Sequence, residues 1–267
     1  MLSIEWILLY GLLGVFVGFM AGLLGVGGGG ILVPLLAMIF RYQGMEVNHV
    51  VHYALGTAFA CMIFSSLASI RAHAASGNVV WKMFYGMAAG IMAGMLLTTR
   101  VAAHIHSSYI AVFFSAFMVL IAAQMFLNWK PKPKAEPAKF KTLLLVGAGI
   151  GSVSALAAVG GGFLTITYLN YKNIPMKKAI GTSAAIGLPI AVAGTVGYLL
   201  SGWFETAGKP YMLGFIYIPA FMVVSVTSII AASYGARFAQ KLPDAYLKKI
   251  FALLCVALSV KMLLSVL

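Results

Sequence analysis

The chain has 267 residues, 62% hydrophobic and only 9% charged, whereas a soluble globular domain carries about 45–50% apolar and about 25% charged residues. That composition excludes a soluble enzyme, a disordered chain and a secreted disulfide scaffold, and leaves a polytopic membrane protein. The formal net charge of +13 would suggest nucleic acid in a soluble chain, but these bases sit between apolar runs, where they orient spans and bind no nucleic acid.

A span needs about 20 apolar residues at about 1.5 Å each. The first apolar stretch is 4–24. Its start carries Glu5 and no Lys or Arg, so no cleaved signal peptide is expected. It runs into Gly25-Val26-Gly27-Gly28-Gly29-Gly30, followed by a half-length stretch, 30–40. The cluster formally fits G-x-G-x-x-G, but a dinucleotide site needs a preceding strand and an apolar helix precedes this one. Small residues can line a helix contact, yet adjacent glycines break a helix more readily than they line it. A helix restarting after such a break aims free N–H groups and its positive end at whatever lies beyond.

Stretch 48–70 carries His52 and Gly56-Thr57 near its start; 80–100 and 107–128 follow. Trp129-Lys130-Pro131-Lys132-Pro133-Lys134-Ala135-Glu136-Pro137 cannot continue a helix and predicts an exposed, semi-extended connector at 129–139. Stretch 140–159 then ends in Val159-Gly160-Gly161-Gly162, again before a half-length piece, 163–171. Stretch 175–201 carries Lys177, Lys178 and Gly181-Thr182-Ser183 near its start, and 211–236 and 244–267 complete the chain.

The halves repeat. Val26-Gly27-Gly28-Gly29 matches Val159-Gly160-Gly161-Gly162, Ala54-Leu55-Gly56-Thr57 matches Ala179-Ile180-Gly181-Thr182, and Arg100–Leu127 aligns without a gap with Arg237–Leu264. The expected organisation is a first transmembrane repeat at 1–128, a cytoplasmic linker at 129–139 and a second repeat at 140–267. If each half crossed four times, the 18 bases would divide evenly between the two sides. If each glycine-broken pair is instead a re-entrant hairpin followed by three crossings, fourteen bases share the side of the linker and Arg41, Arg100, Lys209 and Lys261 lie opposite. The positive-inside rule favours the second arrangement. The predicted fold is therefore all-α and polytopic, with two inverted repeats and both termini extracytoplasmic.

Two positive helix ends near the midplane make a recurrent transporter site and favour an anion. The candidate substrate-binding groups are the backbone at Gly27, Gly28, Gly29, Gly30, Gly160, Gly161 and Gly162, with the hydroxyls of Thr57, Thr182 and Ser183. Those hydroxyls can equally bond back to the preceding helical turn. His52, Lys177 and Lys178 are a candidate anion path, or else interface residues with snorkelling stems. Glu5, Glu46, Glu136, Glu205 and Asp244 all fall at span ends or in loops, which disfavours a cation pump or channel. The histidines lack metal spacing, and Cys61 and Cys255 stand alone in apolar runs, so no metal, disulfide or cofactor is expected. Gly181-Thr182-Ser183-Ala184 superficially fits the G-x-S motif of intramembrane proteases, but no histidine follows the linker, which leaves first-half His52 as the base such an enzyme would use. An intramembrane enzyme or a structural membrane partner is the alternative to a carrier.

The duplicated halves, the glycine break and the Ala-x-Gly-Thr block in both halves resemble the TauE/SafE sulfite-exporter family of bacterial membrane proteins, across the whole chain. The resemblance implies a multi-pass protein of the bacterial cytoplasmic membrane. It also implies transport of sulfur-containing anions such as sulfite, sulfoacetate or related organosulfonates, without a catalytic residue, and an inside-negative potential favours export of an anion without a coupling carboxylate. The second cluster has lost the leading glycines of the first, so the half-sites are expected to contribute unequally.

Overall fold

A computed structural model describes residues 4–24, 28–127, 139–158, 162–239 and 244–264. Among them lie ten helices: α1 (Ile4–Leu24), α2 (Gly29–Tyr42), α3 (Val50–Ala75), α4 (Trp81–Ala102), α5 (Ser107–Phe126), α6 (Phe140–Ala157), α7 (Gly162–Tyr171), α8 (Met176–Ser201), α9 (Ile218–Ala239) and α10 (Asp244–Leu264). Seven are long and apolar enough to cross a membrane; α2 and α7, with 14 and 10 residues, are too short, and α10 contributes the shorter apolar segment Ala252–Leu264. Leu8, Leu12, Leu97, Leu120, Leu145, Ile230 and Leu253 are exposed, and so much exposed apolar surface suits lipid rather than water. The chain is a multi-pass membrane protein.

Each predicted stretch contains a helix. One boundary differs: the apolar run from 211 does not begin a helix until Ile218. Tyr211 and Gly214 have φ of 61° and 55°, which turns the chain into a small hairpin, β1 (Met212–Leu213) and β2 (Ile216–Tyr217), pairing Met212 with Tyr217 and Leu213 with Ile216. Aromatic content allowed a helix there, but a left-handed residue does not propagate one. The expected linker at 129–139 lies outside the described residues except for Lys139, which caps α6.

Small residues decide which helices meet. Gly86, Gly90 and Gly94 of α4 lie a turn apart and abut Leu143, Leu144 and Ala148 of α6, while Gly147 and Gly151 of α6 abut Met87 and Ile91. A Cβ at any of these would collide with the facing helix, so backbone meets backbone and dispersion is gained along the seam. Numbers rise together on the two helices, so they run parallel. In the same way Gly14 and Gly18 of α1 abut Val224 and Ser228 of α9, and Gly235 of α9 abuts Phe19.

These two seams exchange partners: α1 of the first half packs on α9 of the second, and α6 of the second on α4 of the first. Between them α3 crosses α8. Phe59 and His52, early on α3, meet Tyr198, late on α8, so this central pair is antiparallel. Ser115 of α5 and Ser259 of α10 exchange hydroxyl-to-carbonyl hydrogen bonds of 3.0 and 3.3 Å. The end of α2 comes back to the start of α1: Tyr10, early on α1, donates a 2.9 Å bond to the Gln43 side chain just beyond α2.

Candidate functional site

The start of α2 meets the end of α6. Gly28 caps α2 in the left-handed region, φ 72° and ψ −16°, where glycine carries no Cβ penalty. Its carbonyl accepts the N–H groups of Ile31 and Leu32 at 3.1 and 2.9 Å, and no side chain caps this helix start. From the other half, α6 stops at Ala158, which is also left-handed (φ 47°, ψ 24°) and donates its N–H to Ser154 at 2.8 Å. Gly29, the first residue of α2, lies against the Ala158 carbonyl and the Met62 sulfur, and a Cβ there would collide with both. Ser183 donates a 3.1 Å hydrogen bond to the carbonyl of Gly162, the first residue of α7. Gly28, Gly29 and Gly162 are buried and Gly30 is half-buried. Gly27, Gly160 and Gly161 lie outside the described residues.

Thr57 and Thr182 have partners that the sequence did not suggest. The Thr57 hydroxyl accepts the Tyr217 N–H at 3.0 Å, and the Thr182 hydroxyl accepts the Val80 N–H at 2.8 Å. Tyr217 and Val80 are the residues just before α9 and α4. The adjacent glycines do the matching work: a Cβ at Gly56 would strike the Phe215 carbonyl, and one at Gly181 the Asn78 carbonyl. The Gly-Thr block is thus a clasp in which each half grips the start of the other half's fourth helix. Both threonines are fully buried, and they lie towards opposite ends of the central α3–α8 pair rather than side by side.

His52 is fully buried, its Nε2 lies 2.8 Å from the Ala102 carbonyl and its Nδ1 3.3 Å from the Ser107 hydroxyl. Both ring nitrogens are engaged in tying α3 to the connection between α4 and α5. Lys177 and Lys178 are exposed on the first turn of α8, at the far end of the bundle from His52. Ser183 is spent on Gly162, and His52 is bound elsewhere, so the structure does not assemble the serine and base that the G-x-S motif would need. Among the described residues, no group of three His, Cys, Asp or Glu could hold a metal ion.

A second feature escaped the sequence reading. A cavity of about 730 Å³ opens at the end of the bundle that carries Glu46, lined by Trp6, Tyr42, Glu46, Tyr53, Lys209 and Tyr217 among others. Lys209 Nζ donates to Glu46 Oε2 and to the Tyr53 hydroxyl, each at 3.0 Å. The Lys209 hydrogen bond holds the Glu46 carboxyl below the usual carboxylate range, and the bond to Tyr53 raises the Lys209 ammonium. The sequence signal was the change in repeat offset, from 125 between Gly56 and Gly181 to 137 between Arg100 and Arg237, which places twelve extra residues in the second half.

Residues 10–262 match the family model described as sulfite exporter TauE/SafE. A "probable membrane transporter protein" of Haemophilus influenzae is 33% identical over 263 residues, covering 98% of this chain and 99% of the relative. Proteins of the same description from Methanocaldococcus jannaschii and Bacillus subtilis are 27% and 28% identical, over 92% and 91% of this chain and 92% of each relative. No solved structure matches the chain.

Proposed function

We propose that this chain, which belongs to the sulfite exporter TauE/SafE family of membrane transporters, exports small sulfur-containing anions: sulfite, sulfoacetate or related organosulfonates. The observation that carries the reading is the meeting of the start of α2 with the end of α6 at Gly29 and Ala158. The starts of α2 and α7 lie inside the bundle, and each helix end amounts to about half a positive charge. Together they offset about one negative charge where the sequence places no mid-span Lys or Arg. A dehydrated anion needs such compensation in a medium of low dielectric.

The exchanged seams and the antiparallel α3–α8 pair support inverted repeats. On that topology the start of α4, α6 and α8 faces the cytoplasm with Lys82, Lys141, Lys177 and Lys178, and the end with Arg41, Arg100 and Lys209 faces outward. Direction follows from energetics. With the cell interior negative, each outward-moving negative charge gains about 2.3 kcal/mol per 100 mV, so export needs no coupling carboxylate within the spans. The bound partner is the anion, with lipid around the bundle and no cofactor.

The test is flux from proteoliposomes loaded with labelled sulfite, sulfoacetate and short alkanesulfonates. Saturable, substrate-selective efflux that increases with an inside-negative potential is expected. No flux above empty liposomes for any of these anions would sink the reading.

A further inference from the structure

We infer that the second half supplies the side-chain ligands of the anion, through the hydroxyls of Thr165 and Tyr168 on α7; this rests on the anion-carrier reading above. Thr165 is fully buried, and neither its Oγ1 nor the buried Tyr168 hydroxyl has a hydrogen-bond partner. Buried hydroxyls are normally satisfied, and one left unpaired costs stability. Two on one helix, a turn apart, share a face.

Their place matters as much as their lack of partners. Thr165 stands three residues after Gly162, in the first full turn of α7, and helix side chains lean back towards the N-terminus. Its hydroxyl therefore leans to the break, where first-turn amides have no carbonyl within the helix to bond. Ser183 pins the carbonyl of Gly162 and so fixes that start. A sulfite or sulfonate oxygen accepts hydrogen bonds and donates none, and two O–H donors beside a helix start are its complement.

The first half lacks this chemistry. Aligning Gly29 with Gly162 puts Leu32 and Leu35 where Thr165 and Tyr168 stand. Leu32 lines a cavity of only about 20 Å³ with Val17, Gly28, Cys61 and Met62, room for about one water and apolar. The two half-sites are thus unequal in side chains, with the charged head group on the side of α7.

The experiment compares the full chain with T165V, T165S and Y168F in proteoliposomes loaded with sulfite or sulfoacetate. Thr165→Val and Tyr168→Phe should each raise the half-saturating concentration about ten- to a hundredfold, the effect of one hydrogen bond lost to a charged group. Thr165→Ser should stay near wild type. In detergent without anion, T165V should melt no lower than wild type, because it removes an unpaired hydroxyl and keeps the shape. Unchanged half-saturation in both T165V and Y168F overturns the inference while the carrier reading stands. So does a Thr165→Ser protein as impaired as T165V, since that would make the site one of packing. Wild-type protein that moves none of the anions sinks the carrier reading and this inference with it.

Discussion

Thr57 and Thr182 make the same bond across the molecule in opposite directions: each accepts the backbone N–H just before the fourth helix of the other half, from Tyr217 at 3.0 Å and Val80 at 2.8 Å. Reciprocity of this kind ties the repeats into one unit, because neither helix start can move without releasing a buried donor. It also explains why glycine precedes threonine in both blocks: the carbonyl two residues before each N–H sits where a Cβ would be.

Thr57→Val and Thr182→Val should therefore lower stability rather than substrate affinity alone. Leaving a buried N–H unpaired costs about 1–3 kcal/mol. The Thr57 bond is buried and the Thr182 bond only partly so, and T57V is expected to be the worse of the two. Denaturant unfolding in detergent measures this, with Thr→Ser at each position as the hydroxyl-retaining control. Wild-type stability in T57V would show that the clasp carries no load.

Topology is open to a direct check. Glu205 and Lys178 are both exposed and fall at opposite ends of α8. In sealed cells a membrane-impermeant thiol reagent should modify Glu205→Cys and leave Lys178→Cys intact until the membrane is opened. The native Cys61 and Cys255 are buried and give little background. Labelling of the Lys178→Cys protein alone would reverse the proposed orientation.

The Glu46–Lys209 pair holds the long α8–α9 loop to the end of α2. Glu46 has a lowered pKa, so its contribution is present above the unfolded-state value and is lost as pH falls through the folded one. Lys209 has a raised pKa, so its contribution is present below the unfolded-state value and is lost as pH rises through the folded one. The contact is thus whole at neutral pH and released at both extremes. Both side chains are more than a third exposed, which limits the pair to about 0–1 kcal/mol. The hydrogen-exchange protection factors of residues 202–217, taken relative to the intrinsic rate at each pH, should fall in acid for wild type. In Glu46→Gln they should already be low at neutral pH, and equal protection in the two proteins would exclude the latch.

The order of helices, both breaks and the duplication were legible because each is written locally: apolar length, glycine runs and block matches need no partner. The roles of Thr57 and His52 were not legible. Their partners are backbone groups of Tyr217 and Ala102, 160 and 50 residues away, and a carbonyl or amide leaves no trace in the sequence of the residue that binds it. The same holds for Thr165, which the pattern treats as one more residue of a short apolar helix. What distinguishes it is the absence of a bond, and only three-dimensional packing reveals that. Lys209 was read as a topology marker, since nothing in the α8–α9 loop says that it reaches Glu46.

Gly29 offers the sharpest separation of site from scaffold. It begins α2, and a Cβ there would strike the carbonyl of Ala158, just beyond α6, and the Met62 sulfur of α3. The Met62 sulfur is the end of a flexible side chain and can swing away. The Ala158 carbonyl is backbone, already held in the left-handed region, and can retreat only if α6 and α2 part. Gly29→Val should therefore spread the junction and remove flux per folded molecule, with Gly29→Ala intermediate. Met62→Ala added to Gly29→Ala should restore little, because the harder of the two collisions remains. Gly149 provides the control: it lies on α6 with open space where its Cβ would be, so Gly149→Ala should keep full flux and gain about 0.5–1 kcal/mol of helix stability. If the breaks served packing only, flux in the Gly29 variants would fall in step with folded yield and no further. Flux divided by the monodisperse fraction on size exclusion decides the matter, and a normal ratio for Gly29→Val would move the anion site away from the junction.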